Sequence, residues 1–195
     1  MNIGRPLEFD PDQALHDAMH VFWCKGYEAT SLQDLLKAMD LSKSSFYQTF
    51  GSKQQLFERC IGRYRESMAT AMRERLDRAA SGRQFIAEMF YAVADEPNGP
   101  VKPRGCLVMN TANEFAQRDP LVAEWVAQCV DRFKNIFQAA VQRAQQEGDI
   151  AADKDAAVLA HYLVSSMSGL KTMVKAGAGA NTVKDIVRVI LCALD

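Results

Sequence analysis

The stretch "LSKSSFYQTFGSKQQLF", Leu41 to Phe57, decides how this chain folds. Ser42 is suited to cap a helix, and Phe46 and Phe50 stand four apart, on one face of it. Gly51 breaks the chain, and Ser52 can open the next helix at Lys53. Two buried phenylalanines leave Lys43, Ser44, Ser45, Tyr47, Gln48 and Thr49 for the outer face, a row of ammonium, hydroxyl and amide donors. Upstream, "TSLQDLLKAMD" has Ser31 and Asp34 in capping-box spacing, with Leu32, Leu35, Leu36 and Met39 as a stripe at helical period. Two short helices joined by a turn of about three residues form a helix-turn-helix shape. The outer groups of the second helix suit phosphate oxygens and base edges in a major groove.

Neighbouring residues extend that surface. Lys53 adds a cation at a helix N-terminus, whose N–H groups already favour phosphate, and Thr30 and Ser31 occupy the same position on the helix before. Arg5 lies in an arm that can reach a minor groove. The arm leads to "DPDQALHDAMHVFWCKG", where Asp10 caps, Pro11 opens and Gly26 closes a helix with Ala14, Ala18, Val21 and Phe22 on its apolar face.

Downstream the apolar period stays helical, so the fold class is all-α. A long helix from Lys53 toward Ala80 carries Leu56, Cys60, Tyr64, Met68, Ala71 and Met72 on one side. Another helix spans Gly82 to Ala94, and "DEPNGPVKPRG" is too rich in proline and glycine for a helix. Asp119 and Pro120 open a helix with Val122, Val126, Val130, Phe133 and Phe137 on one face, ending near Gly148. Helices starting at Asp153 and Asn181 complete the chain.

The 195 residues carry a net charge of -1, so any hold on nucleic acid must come from local placement of charge. The five cysteines (Cys24, Cys60, Cys106, Cys129 and Cys192) are odd in number and widely spaced, the pattern of reduced intracellular thiols. With no signal peptide at the N-terminus and no membrane-length apolar run, a cytoplasmic location is expected. His16 and His20 have zinc-pair spacing but no third ligand, and neither a nucleophile with its base nor a phosphate-binding glycine loop is present. The expectation is therefore no enzyme, no cofactor, no metal and no catalytic residue. On physical grounds alone, a DNA-binding protein and a helical protein-interaction module without DNA binding both remain open.

The run "YEATSLQDLLKAMDLSKSSFYQTFGSKQQLF" resembles the DNA-binding signature of the TetR family of bacterial transcription regulators. It matches at the Gly26-Tyr27 turn, Thr30, the Leu35-Leu36 pair, Ser42-Lys43, Tyr47 with Phe50, and Lys53. The resemblance implies that Tyr47 and Lys53 hold phosphates, that Thr30 and Lys43 contact the backbone, and that Ser44, Ser45 and Gln48 approach bases. Many relatives carry glycine at the position of Ser44 and histidine at that of Thr49. The implied organisation is a three-helix helix-turn-helix DNA-binding domain over residues 1–52 and a larger helical ligand-binding and dimerisation domain over 53–195.

The implied partners are double-stranded DNA with a palindromic operator, a second copy of the chain and an unknown small-molecule effector; repression is the family default. The last two helices carry wide apolar stripes suited to a homodimer, which would set two recognition helices about 34 Å apart. An effector pocket is expected among Phe85, Met89, Phe90, Met109, Phe115, Trp125 and Phe133. Cys106 follows "VKPRG" and is placed in the first turn of a helix, where the helix dipole favours a thiolate. "GCLVMNTANEF" also resembles a TetR subgroup in which some members sense electrophiles or oxidants through a cysteine at this place.

Overall fold

A computed structural model describes residues 9–115 and 119–195. Among these residues there are helices and no strand. Helix α1 (Pro11–Lys25) is capped by Asp10, whose carboxylate accepts the Asp12 N–H. It stops at Gly26, where φ is 82° and an L side chain would be strained. Helices α2 (Leu32–Ala38), α3 (Lys43–Phe50) and α4 (Lys53–Arg78) follow.

The chain divides into two compact units, Met1–Arg65 and Glu66–Asp195, and the boundary falls inside α4. In the first unit, Ala18, Phe22, Leu35, Phe46, Phe50, Leu56, Phe57 and Ile61 are buried. Phe22 meets Phe57 edge to face, ring centroids 4.9 Å apart. Each such ring contributes roughly 1.5–3 kcal/mol by leaving water. An eight-residue helix such as α3 needs that contribution, because helices this short are not stable alone.

The second unit comprises the rest of α4 with α5 (Gly82–Asp95), α6 (Leu107–Phe115), α7 (Pro120–Glu147), α8 (Ala156–Lys175) and α9 (Ala180–Cys192). Helix α7 packs on α8, α5 and α6, and α9 packs on α5. Phe85, Phe90 and Phe137 anchor this core together with Leu163, Leu170 and Leu194. A Cβ at Gly82 would lie 2.2 Å from the Ala140 carbonyl oxygen, so glycine alone lets the start of α5 close onto α7.

Several boundaries differ from the sequence reading. Helix α8 starts at Ala156, because Asp155 rather than Asp153 accepts the Ala157 and Val158 N–H groups. Helix α9 starts at Ala180 behind Gly179, whose carbonyl takes the Val183 N–H, so Asn181 lies inside the helix. Glu96–Asn98 forms one 3-10 turn within the segment expected to be irregular, with Pro97 in its first turn. On α4, Ala71 is exposed and Ala69 is buried, because beyond Tyr64 the core of the second unit selects the buried face. His161 is exposed on α8.

Candidate nucleic-acid interface

Helix α2 begins with a complete capping box. The Ser31 hydroxyl oxygen accepts the Asp34 N–H at 3.1 Å, and the Asp34 carboxylate accepts the Ser31 N–H at 3.0 Å. Lys25 Nζ donates to the same carboxylate at 2.6 Å. Asp34 is therefore held well below the ordinary carboxylate range, first by Lys25 and then by the Ser31 N–H and hydroxyl.

The turn to α3 is made by Asp40 at φ 51°, and the Leu41 N–H reaches back to the Leu36 carbonyl at 3.0 Å. This six-to-one bond closes a Schellman-type end, with aspartate in the left-handed position more often filled by glycine. Ser42 then caps α3: its hydroxyl oxygen accepts the Ser45 N–H at 3.1 Å and pairs with the Ser45 hydroxyl at 2.9 Å.

Phe46 and Phe50 point inward, their centroids 6.0 Å apart and both buried. Lys43, Ser44, Tyr47 and Gln48 share the opposite, exposed face, with Tyr47 48% exposed. A tyrosine ring this open on a helix that buries its other two rings is available to a partner.

The remaining residues of the predicted set are placed differently. Thr30 is buried and its hydroxyl donates to the Gly26 carbonyl at 2.5 Å. The hydroxyls of Ser31 and Ser45 are engaged in the two caps. Thr49 corrects the reading that it stands outward: its Oγ1 is buried without a hydrogen-bond partner, because it lies on the flank of α3 beside the inward Phe50. Its carbonyl accepts from Arg59 at 3.2 Å. Arg5 lies outside the described residues.

Lys53 is half-buried at the start of α4, and its Nζ sits 4.3 Å from the Tyr27 ring centroid. Tyr27 is wedged near Phe57 at 4.9 Å and Phe22 at 6.0 Å. The sequence marked Tyr27 only as part of the Gly26-Tyr27 turn and gave Lys25 no role; the contacts of Tyr27 with Lys53 and of Lys25 with Asp34 emerge from the structure.

In the second unit, Cys106 is half-buried and occupies the capping position before α6, its carbonyl accepting the Asn110 N–H at 2.9 Å. It is thus one residue ahead of the first turn where the sequence reading placed it, because Gly105, at φ 74°, turns the chain immediately before it. Asn110 donates to the Arg104 carbonyl at 3.0 Å and accepts from Lys175 at 3.0 Å.

Phe85 and Phe90 are wholly buried, with centroids 6.1 and 6.2 Å from that of Phe137. Met89 and Phe133 pack partly buried against the same core. Met109, Phe115 and Trp125 are half-buried on α6 and α7. His16 and His20 meet edge to face, their ring centroids 4.5 Å apart, and among the described residues no group of three or more metal-ligating side chains gathers. No helix among them is long and apolar enough to cross a membrane.

Comparison with known proteins places this geometry. Residues 14–60 match the model of the bacterial regulatory proteins of the tetR family, and residues 82–190 match the tetracyclin repressor-like C-terminal domain. The uncharacterized HTH-type transcriptional regulator YezE of Bacillus subtilis is 33% identical over 194 residues, covering 99% of this chain and all of that one. The HTH-type transcriptional repressor ComR of Escherichia coli is 29% identical over 184 residues, 94% of this chain and 88% of that one. Among solved structures, a cysteine mutant of the TetR family regulator CifR complexed with 26bp operator DNA superposes with a TM-score of 0.86 at 32% identity, over 98% of this chain and 100% of that one. By its helix-turn-helix, its helical second unit and these full-length relatives, the chain belongs to the TetR family of bacterial regulatory proteins.

Proposed function

We propose that this protein is a sequence-specific transcriptional repressor that binds a palindromic operator as a homodimer in the cytoplasm, acting by binding and not by catalysis. The observation that carries the reading is the exposed face of α3, where Lys43, Ser44, Tyr47 and Gln48 stand together opposite buried Phe46 and Phe50. The operator complex of CifR, a relative at 32% identity, supports it. Lys43, Tyr47 and Lys53 hold phosphates, while Ser44 and Gln48 approach base edges, with Ser45 and Thr49 at the margin. The Thr30 and Ser31 hydroxyls act indirectly, by fixing the entry to α2. Arg5 supplies a minor-groove contact.

In this reading, residues 1–52 are the DNA-binding domain and residues 53–195 the ligand-binding and dimerisation domain. The exposed apolar side chains Val158 and Met173 of α8 and Val189 of α9 supply the pairing surface, at 63%, 41% and 69% exposure. An effector enters among the half-buried Met89, Met109, Phe115, Trp125 and Phe133, next to the core formed by Phe85 and Phe90, or Cys106 is modified. Either event releases DNA through differential affinity for two states.

Selection of duplexes from a random pool tests the first part: a palindromic site should emerge, and Tyr47→Ala with Lys53→Ala should abolish its capture. Capture unchanged by both substitutions would refute the assignment. Because Cys24 and Cys192 are more exposed than the half-buried Cys106, the sensor is tested in a background with both replaced by serine. A thiol reagent should still release DNA there, and Cys106→Ser should prevent it.

A further inference from the structure

Helix α4 runs through both units without a break, and α7 holds its second half at two places of different character. At the C-terminal end, the Arg143 guanidinium donates to the Leu76 carbonyl at 2.7 Å, to Ala79 at 3.0 Å and to Ala80 at 3.3 Å. Its Nε donates to Glu147 at 2.7 Å, and the other oxygen of Glu147 accepts the Gly82 N–H at 2.8 Å. One arginine thus satisfies carbonyls that a helix end leaves open, and its glutamate partner holds the start of α5.

The second hold is at Glu66, the first residue of the second unit. Arg132 donates to its two carboxylate oxygens at 2.9 and 2.7 Å. Here the arginine is less completely satisfied. The Arg132 Nε is buried without a hydrogen-bond partner, and the two side chains retain 32% and 51% of their exposure, so water and salt compete for the contact. Glu66 lies ten residues, about 15 Å along the helix, from Leu76.

We propose that Arg132 is a positioning residue for DNA recognition: its ion pair with Glu66 is the releasable hold on α4, and Arg143 is the fixed one. The inference rests on the DNA-binding reading above. A helix held at both places keeps the element that begins with Lys53 in one setting before DNA arrives. Loosening one hold leaves that ordering to be completed on binding, which weakens affinity. Because α7 also carries Trp125 and Phe133, a ligand that turns or shifts α7 acts on the same pair.

The test uses full-length Arg132→Gln, Glu66→Gln and the exchanged pair Arg132→Glu with Glu66→Arg. Amide hydrogen exchange without DNA, thermal midpoint, and affinity for the selected operator and for a scrambled duplex are measured on each. Both single variants should speed exchange around Glu66 while leaving the Leu76 end unchanged. They should weaken operator binding about two- to fivefold, leave scrambled-duplex binding and the thermal midpoint near the parent's, and be restored by the exchange. Unchanged exchange near Glu66, operator affinity equal to or tighter than the parent's, or no restoration by the exchanged pair would overturn the proposal. A parent that selects no duplex, yet shows the expected exchange differences, would instead overturn the DNA-binding reading while leaving the Arg132 hold on α4 in place.

Discussion

The ammonium of Lys53 lies over the face of Tyr27, 4.3 Å from the ring centroid, although the two residues belong to different segments of the chain. The ring is itself set by Phe22 and Phe57, so an apolar cluster aims a cation. Tyr27→Leu keeps much of the packing and removes the aromatic face. It should weaken operator binding about two- to fivefold, and Tyr27→Phe should not. Titrations across salt concentration separate aiming from charge: Lys53→Ala should lower the salt slope by about one, and Tyr27→Leu should leave it in place.

Phe46 and Tyr47 are neighbours with opposite duties. Phe46 is wholly buried and Tyr47 is about half exposed. Phe46→Ala should cost about 3–5 kcal/mol. Tyr47→Ala should cost less than about 1.5 kcal/mol, mostly the loss of its edge-on contact with Phe46. Denaturant unfolding of the two variants measures this, and only the second should remain folded while losing operator capture.

Asp34 gives the helix-turn-helix a dependence on acid. Lys25 first, and the Ser31 donors after it, lower its pKa from the ordinary 3.8. A lowered folded pKa contributes stability above the unfolded value and loses it as pH falls through the folded one. The gap in thermal midpoint between the parent and Asp34→Asn should be full at neutral pH and close progressively below about pH 4. Added salt should also narrow it at neutral pH, since Lys25 and Asp34 are both partly exposed.

Cys60 responds in the opposite direction. Burial pushes its thiol up to about 12, with Arg63 opposing, and its Sγ donates to the Leu15 carbonyl at 3.7 Å. A raised pKa leaves stability intact below the unfolded value and removes it as pH climbs from about 9 toward 12. Cys60→Ala should flatten that alkaline loss. At pH 8, alkylation followed by mass spectrometry should mark the exposed Cys24 and Cys192 and spare Cys60 until the protein is unfolded.

The helix-turn-helix was legible in the residues because its signals are short-ranged. Ser31 with Asp34, Ser42 with Ser45, and Phe46 with Phe50 act over about one helical turn, so cap and period mark α2 and α3 in the sequence, although tertiary burial of the rings is needed to hold them. The starts of α8 and α9 were less legible, since Asp153 and Asp155, or Gly179 and Asn181, offer similar local signals and the packing of each helix selects between them.

What the sequence determined by itself is thus the all-helical class, the capped two-turn helix and the polar face that it turns outward. Tertiary structure alone decided that the Thr49 hydroxyl is buried, that Lys53 rests on Tyr27, and that Arg132 and Arg143 hold α4 from a helix more than sixty residues away. The reason is physical: a cap or an apolar period is satisfied by atoms a few bonds apart. A guanidinium finds its carboxylate or carbonyl only after the cores have brought two distant segments together.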